Sequence, residues 1–341
     1  DGVVYDHIGY RARGGVWRYA MGKNMWKFDF NRGHGFQARD DYGNKYETTW
    51  DKLNFSAIIQ QGNFLQRGEQ GLFESAGFKL HNLAGNEAPL TNYIHFRIVE
   101  DADEGGSDQY STDFQGVYLV VEQMDGNFLD EHELPDGNLY KMEGGTGTLN
   151  NQGPTQPSDK SDLNELMNTY LHGTPDAAWW EANFDLEDYY SFRSIAMAIH
   201  DYDIYAGKNY FYYHNPETDK WSVMNWDIDL TWTTTYTSGG GKGPLNEYIF
   251  TDFPEFRIDY NNRVRELVDL LFNPEQTGML LDESAQPVYT PGQTSLVDAD
   301  RAMWDYNPIL ASNYATSWKA GQGRFYESSP TGDYAGMITL L

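Results

Sequence analysis

The alternation of apolar and polar residues dominates the first third of the chain. Residues 3–13 and 17–31 alternate and are rich in β-forming types, with Gly14 and Gly15 between them, so they predict a hairpin. Residues 90–99 and 116–124 predict a second strand pair. The spacing of residues 63–75 favours a helix, and we expect Gly77 to stop it.

Helical spacing takes over after residue 160. The pattern predicts helices over residues 161–172, 177–183, 186–200 and 255–272. A β-hairpin interrupts them, with strands over 209–214 and 221–230 around a turn at Asn215-Pro216-Glu217. Residues 144–160 are rich in Gly, Asn, Gln, Pro and Ser, which favours a mobile loop. These elements together predict an α+β protein.

The charge balance limits the classes of partner. The chain has 51 acidic and 24 basic residues among 341, a net charge of −27. Such a surface repels nucleic acid and anionic membranes, and it suits basic partners, divalent cations or a salty medium. No apolar run is long enough to predict a membrane span. We therefore expect no nucleic-acid partner, and we expect a monomer.

The absence of cysteine removes a further set of possibilities. With no Cys in the sequence, structural disulfides and thiolate metal sites are excluded. This composition fits an exported bacterial protein. The expectation is a secreted or cell-surface protein, present here as a domain of a longer chain.

Two loops are candidate ligand sites by composition: one is acidic and the other is rich in glycine. The acidic loop over residues 100–108 lacks the spacing of an EF-hand, which leaves a Ca²⁺ site or a solvated insertion. Gly241-Lys242-Gly243 lacks the hydroxyl residue and the upstream glycine of a P-loop. We therefore do not interpret the second loop as a phosphate site.

Two acidic clusters end regular elements and carry the strongest chemical signal. Asp201 and Asp203 follow a predicted helix, and Asn209 comes shortly after them; Asp227 and Asp229 end a run of β-formers. Mg²⁺ binds a few carboxylate or amide oxygens together with phosphate, and phosphoryl transfer needs an acid that orients the attacking hydroxyl. The order of Asp, Asn and a later Asp resembles that of protein kinases. Helix capping is the alternative role for such residues.

Candidate nucleotide contacts lie upstream. The strand that ends at Glu122 to Met124 resembles an inter-lobe connector, whose backbone meets the adenine edge. Arg13, Lys23 and Lys27 lie with Arg11 in the first predicted hairpin. Basic side chains beside glycines indicate an anion site, although a solvated hairpin face has the same composition.

Six sequence blocks stand in order over residues 5–235: Arg11-Ala-Arg-Gly, Lys23-Asn-Met-Trp-Lys-Phe-Asp-Phe, Gly116-Val-Tyr-Leu-Val-Val-Glu-Gln-Met-Asp-Gly-Asn-Phe-Leu, Asn138-Leu-Tyr-Lys, Lys208-Asn-Tyr-Phe-Tyr-Tyr and Asn225-Trp-Asp-Ile-Asp-Leu-Thr-Trp. Together these blocks resemble the CotH-like (spore coat protein H) family of atypical protein kinases. The resemblance implies a two-lobed kinase-like fold. Its strand-rich N-lobe would span residues 1–125 and its mostly helical C-lobe residues 126–341. It also implies ATP and Mg²⁺ (or Mn²⁺) as cofactors, and a protein substrate.

The same resemblance implies roles for single residues. Asp203 matches the catalytic acid, with Asp201 as the alternative, and Asp227 matches the metal-binding Asp. Asn209 is implied as a second metal ligand and Asp229 is a further candidate. The residues implied in nucleotide binding are Tyr118 and Trp221 around adenine, Glu122 and Met124 in the connector, and Arg13, Lys23 and Lys27 near the phosphates.

Several alternatives stay open. Lys23 is favoured over Lys27 as the phosphate-binding lysine, and either Glu69 or Glu74 is its acidic partner. The main functional alternatives are a catalytically degenerate extracellular binding or attachment module, and the same fold transferring AMP or glutamate. A glycoside hydrolase that uses two carboxylates fits the aromatic content but not the basic hairpin.

Overall fold

The computed structural model describes residues 2–14, 23–57, 71–99, 113–201, 203–204, 207–232, 248–289, 296 and 300. The acidic loop at 100–108, the glycines at 241 and 243, and Glu69 lie outside this part of the chain. No helix among the described residues is long and apolar enough to cross a membrane. The strands are β1 (Gly9–Ala12), β2 (Trp26–Asp29), β3 (Lys52–Ser56), β4 (Thr91–Arg97), β5 (Phe114–Glu122), β6 (Asn138–Glu143), β7 (Thr146–Asn151), β8 (Tyr210–His214) and β9 (Trp221–Asn225). The helices are α1 (Leu72–Leu83), α2 (Gly126–Glu131), α3 (Ser161–His172), α4 (Ala177–Asn183), α5 (Leu186–Ala198), α6 (Tyr248–Asp252), α7 (Pro254–Leu270) and α8 (Pro274–Ala285).

The described residues form two compact units. The first takes in those of Asp1–Ser75, Leu90–Glu122 and Gly278–Leu340, and the second those of Ala76–Pro89 and Gln123–Thr277. The predicted lobes, residues 1–125 and 126–341, stay a prediction; this grouping places the described residues of 76–89, 123–125 and 278–340 on the other side of that division. Mixed α and β content with antiparallel sheets agrees with the predicted class.

The first unit contains an antiparallel sheet with the order β1-β2-β3-β5-β4. Alternate residues of its strands point into one aromatic core, as a half-buried sheet requires. Phe28 faces Leu53 across β2 and β3, and its ring lies 4.7 Å from that of Phe55. The ring of Phe96 closes this cluster from β4, 5.4 Å from Phe55.

The second unit contains an antiparallel sheet with the order β7-β6-β8-β9. In the β8–β9 hairpin, Tyr210 pairs with Asn225 and His214 pairs with Trp221. The core of the unit joins this sheet to buried residues of α3, α4 and α5. Two of these helices begin where the sequence supplies a capping Asp: Asp176 accepts from Trp179 N, and Asp185 accepts from Asp188 N.

Three sequence-based expectations need correction. The predicted loop at 144–160 contains β7, because Gly144 and Gly145 form a tight turn with positive φ that returns the chain against β6. Gly77 does not stop a helix but lies inside α1, where an added Cβ would come within 2.5 Å of Ile228 Cδ1. The strand predicted over 221–230 ends at Asn225.

Candidate active site

Asp203 lies at the centre of a small polar cluster in the second unit. Its carboxylate accepts from Lys208 Nζ at 3.1 and 3.3 Å and from Asn209 Nδ2 at 2.8 Å. Asn209 also donates to the Asp203 carbonyl oxygen at 3.0 Å, which closes the loop just before β8. The Asp203 side chain is 25% exposed. The cluster therefore fixes the direction of a carboxylate that solvent can reach.

Asp227 follows the end of β9 beside this cluster. The Trp226 N–H donates to the carbonyl oxygen of Asn209 at 3.2 Å, so the chain leaving β9 runs next to the chain entering β8. Asn209 and Asp227 both have positive φ, +66° and +60°. Non-glycine residues held in this region cost free energy and concentrate at functional sites. Asp227 and Asp229 are half-buried, and the two strand ends thus bring the predicted metal ligands into one region.

A buried chain of hydrogen bonds supports these strand ends. Asn225 Nδ2 donates to Asp201 Oδ2 at 3.0 Å and lies 3.1 Å from His81 Nε2. His81 Nδ1 lies 2.8 Å from Asn86 Oδ1, and Asn86 Nδ2 donates to Asp188 Oδ1 at 2.7 Å. An amide nitrogen only donates, so His81 Nε2 accepts and His81 Nδ1 carries the proton. Each amide and imidazole in the series therefore has a defined orientation.

Burial shifts the pKa values of two members of this network. Desolvation lowers the pKa of His81 from 6.5 to about 4, against the raising effect of Asn86. Desolvation raises the pKa of Asp201 from 3.8 to about 7; the hydrogen bond from Asn225 opposes the rise and the charge of Asp203 adds to it. Asp201 is 2% exposed. Of the two predicted catalytic acids, Asp203 is thus the accessible one, and Asp201 belongs to the internal network.

The oxygen atoms of this region fit a hard divalent cation. Among the described residues, no three His, Asp or Glu side chains converge as a complete metal site. Mg²⁺ does not require one, since one or two carboxylates together with phosphate oxygens usually hold it. The side-chain nitrogen of Asn209 is directed at Asp203. The side-chain amide oxygen (Oδ1) of Asn209 is therefore the atom that could face a cation. Asp227, Asp229 and Asn209 supply oxygen donors alone, the set that Mg²⁺ and Mn²⁺ prefer.

Lys23 is fully buried in the first unit. Its Nζ donates to Val117 O at 2.5 Å and to Asp300 Oδ1 at 2.7 Å, and it lies 4.4 Å from the centre of the Tyr118 ring. Burial lowers the pKa of Lys23 from 10.5 to about 8, while Asp300 opposes that shift. The acidic partner of Lys23 is therefore Asp300. Glu74, one of the two expected partners, accepts from Ser56 at 2.6 Å.

The two rings expected around adenine are packed into cores. Tyr118 is 0% exposed and lies among Phe55, Phe96 and other aromatic residues of the first unit. Trp221, in the second unit, is 4% exposed and stacks on His214, with ring centres 4.2 Å apart and planes 10° apart. These positions support packing roles. The adenine roles of both residues stay predictions.

The remaining predicted nucleotide residues have these positions. Arg13 and Lys27 are half-buried, and Lys27 lies in β2 opposite Asn54. Glu122 is buried at the end of β5, where its Oε2 accepts from Leu90 N at 3.0 Å. Met124 is buried in the second unit, and its carbonyl oxygen accepts from Asn150 at 3.2 Å. Their contacts with a nucleotide stay predictions.

Sequence reasoning assigned no role to six residues that the structure brings into these clusters: Lys208, His81, Asn225, Asn86, Asp188 and Asp300. Lys208 and Asn225 stood in matched blocks without an assigned role. His81 lies in a helix whose spacing gave no chemical signal, and Asp300 lies in a region without recognisable motifs. A lysine five residues after a candidate catalytic Asp was the one available signal, because the two lie on one short loop.

Comparison with known proteins agrees with the family resemblance seen in the sequence. The inner spore coat protein H of Bacillus subtilis (strain 168) is 22% identical over 238 residues, which cover 61% of this chain and 65% of that protein. The match thus spans less than two thirds of the relative's length. The profile of the CotH kinase protein family matches residues 11–291, well over half of the chain. The resemblance predicted from the six sequence blocks is confirmed, and the chain belongs to the CotH kinase protein family.

Proposed function

We propose that this chain is a phosphotransferase that moves the γ-phosphoryl group of Mg-ATP to Ser or Thr hydroxyls of a protein. The observation that carries the proposal is the cluster of Asp203, Lys208 and Asn209 beside the strand end that bears Asp227. Phosphoryl transfer depends mainly on positioning and on electrostatic stabilisation. The cluster offers an oriented carboxylate, a cation and oxygen ligands within one region of the second unit.

Asp203 is the group that orients the acceptor hydroxyl. Its carboxylate direction is set by Lys208 and Asn209, and its partial exposure admits a substrate. A carboxylate in this role accepts a hydrogen bond from the hydroxyl and takes its proton as the hydroxyl oxygen bonds to the γ-phosphorus. In the same step the bond from that phosphorus to the bridging oxygen of ATP breaks, and ADP leaves. Lys208, 33% exposed at its side chain, places a positive charge where phosphate oxygens gain negative charge.

Asp227, Asp229 and the side-chain amide oxygen of Asn209 would hold the cation. When bound, Mg²⁺ supplies the charge that neutralises phosphate oxygens during transfer. The buried hydrogen bonds from Asn225 keep Asp201 and the end of β9 in place. That support limits the movement of Asp227, and accurate positioning of such groups contributes much of an enzyme's rate.

The acceptor is proposed from charge and from the relative. A net charge of −27 favours a basic or hydroxyl-rich protein, or one bridged to the enzyme by cations. The relative in Bacillus subtilis is a spore coat protein, which fits action at a cell or spore surface. We therefore propose a secreted or surface-located enzyme.

The test is transfer of labelled phosphate. The full chain is incubated with γ-labelled ATP, Mg²⁺ or Mn²⁺, and a basic Ser-rich test protein, and parallel reactions use α-labelled ATP and labelled glutamate. The proposal expects γ-label on protein, abolished by chelation and by Asp203→Asn. Label from the α-phosphate alone would identify AMP transfer, label from glutamate would identify glutamylation, and absence of nucleotide binding would identify an attachment module.

A further inference from the structure

The ammonium group of Lys23 has no access to solvent in this structure. Lys23 is 0% exposed, and its Nζ is shared between the Val117 carbonyl oxygen and Asp300 Oδ1. The ring of Tyr118 covers it as well. Two of the three N–H donors of the ammonium are thus engaged, and burial of the group keeps a phosphate oxygen from reaching it in this arrangement.

Asp300 makes the contacts that a bound phosphate oxygen would make. Its Oδ1 accepts from Lys23 Nζ at 2.7 Å and from the Val117 backbone N–H at 2.8 Å. An ammonium and a backbone N–H directed at one oxygen are a common way for proteins to bind anions.

Gly116 makes room for this anion. It has φ +131°, and a Cβ at this position would come within 2.4 Å of Asp300 Oδ1 and 2.7 Å of Lys23 Cε. Glycine therefore lets the backbone approach the carboxylate closely. We call Lys23 Nζ, Val117 N–H and Gly116 the anion cradle.

The cradle and its occupant differ in origin. Lys23, Gly116 and Val117 belong to sequence blocks shared with the family, whereas Asp300 lies beyond residue 291, where the family match ends.

We propose that Asp300 is a built-in competitor that occupies a phosphate-binding cradle formed by Lys23, Val117 N–H and Gly116, and that the cradle binds a phosphate group once Asp300 leaves. The regulatory role rests on the proposed function, together with the prediction from the family resemblance that Lys23 binds the phosphates of ATP. The two anions exclude each other, since both need the same donors and like charges repel. A contact that keeps the cradle closed about nine times in ten lowers the apparent affinity about tenfold.

Binding of Mg-ATP and of pyrophosphate by the full chain, measured by calorimetry, tests the proposal. Asp300→Asn keeps an acceptor for Val117 N–H and removes the negative charge. We expect it to bind Mg-ATP about tenfold more tightly than the wild type. Asp282→Asn is the matched control, because it removes an exposed carboxylate from α8 in the same unit and is expected to match the wild type. Adding Lys23→Met to Asp300→Asn is expected to cancel the gain.

The outcomes separate this proposal from the proposed function. Equal or weaker binding of both probes by Asp300→Asn overturns the competitor role and makes Asp300 a supporting partner of Lys23. If all variants bind Mg-ATP equally, the competitor role of Asp300 is wrong and the proposed function is unaffected. A gain for pyrophosphate with no ATP binding in any variant supports the cradle and sinks the proposed function.

A measurement on the wild type covers the case in which Asp300→Asn does not fold, since unpairing a buried charge is costly. Hydrogen exchange is followed by mass spectrometry in the peptide that contains Asp300, with and without saturating Mg-ATP or pyrophosphate. Displacement of Asp300 predicts faster exchange with either anion. Unchanged or slower exchange with both overturns the proposal.

Discussion

Asn209 donates a hydrogen bond from its side-chain amide to the carboxylate of Asp203 at 2.8 Å. The bond fixes two things at once, because it directs the carboxylate and turns the amide oxygen of Asn209 away from it. One residue thus connects the proposed catalytic acid to the proposed cation ligands. Its positive φ, which Asn tolerates better than most residues, is the backbone cost of that geometry.

Asp203→Asn is expected to lower the rate of phosphate transfer by roughly 10²–10⁴-fold and to leave ATP affinity nearly unchanged. The amide keeps the shape of the side chain but no longer takes a proton from the acceptor. Single-turnover kinetics and calorimetric ATP binding measure the two effects separately. Asp201→Asn is the matched comparison and is expected to lose far less activity, since Asp201 is buried. A larger loss in Asp201→Asn would move the catalytic role to that residue.

Asp227→Asn is expected to remove the increase in ATP affinity that Mg²⁺ produces. An amide is a weaker ligand for a hard cation than a carboxylate, so the variant is expected to bind ATP equally with and without Mg²⁺. Asp229→Asn, two residues along, is expected to show a smaller loss. Circular dichroism checks that both variants fold. A full response to Mg²⁺ in Asp227→Asn would show that Asp227 is not a cation ligand.

Local features of the fold were predictable from the sequence, and distant contacts were not. The helices that begin after Asp176 and Asp185 have a capping residue and regular apolar spacing, so they were predicted closely. The hairpin at Gly144 and Gly145 was a local feature that was nevertheless predicted as a loop, because β7 is short and polar and lacks the alternation that predicts a strand.

The residues of the candidate site likewise fall into those that were predictable from the sequence and those that were not. Asp203, Asn209 and Asp227 were predicted because they lie at the ends of neighbouring elements. His81 and Asn225 are 144 residues apart, and Lys23 and Asp300 are 277 apart. No local sequence pattern indicates such pairs. The folded structure brings their side chains together in the interior, and a single His or Asp in the sequence does not show that it will be buried.

Trp221→Ala is expected to lower the free energy of unfolding by about 3–5 kcal/mol, as for other large core residues. The substitution removes a buried ring that stacks on His214. Urea unfolding measures the loss. Trp221→Leu keeps an apolar side chain and is expected to lose less than Trp221→Ala, and it removes the aromatic face on which adenine would stack. Weaker ATP binding in a stable Trp221→Leu protein would support the adenine role, and an unchanged affinity would restrict Trp221 to packing.

The buried hydrogen-bond network contains two titrating groups with opposite effects on the pH dependence of stability. The pKa of His81 falls from 6.5 to about 4 on folding, so its contribution to stability is present above pH 6.5 and is lost as the pH falls through about 4. The pKa of Asp201 rises from 3.8 to about 7, so its contribution is present below pH 3.8 and is lost as the pH rises through about 7. Between pH 4 and 6.5 the two contributions oppose each other.

Substituting the two groups one at a time is expected to change the pH dependence of stability in opposite directions. His81→Gln removes the group that destabilises the wild type at low pH, so the stability of this variant relative to wild type is expected to rise as the pH falls from 6.5 to 4. Asp201→Asn is expected to do the reverse, gaining stability relative to wild type as the pH rises from 4 to 7. From the size of the pKa shifts, the change amounts at most to about 3 kcal/mol for His81 and to about 4 kcal/mol for Asp201. Urea unfolding at pH 4.5, 5.5 and 6.5 measures both. Slopes of the same sign in the two variants, or no slope in either, would mean that these groups do not titrate as a buried pair around Asn225.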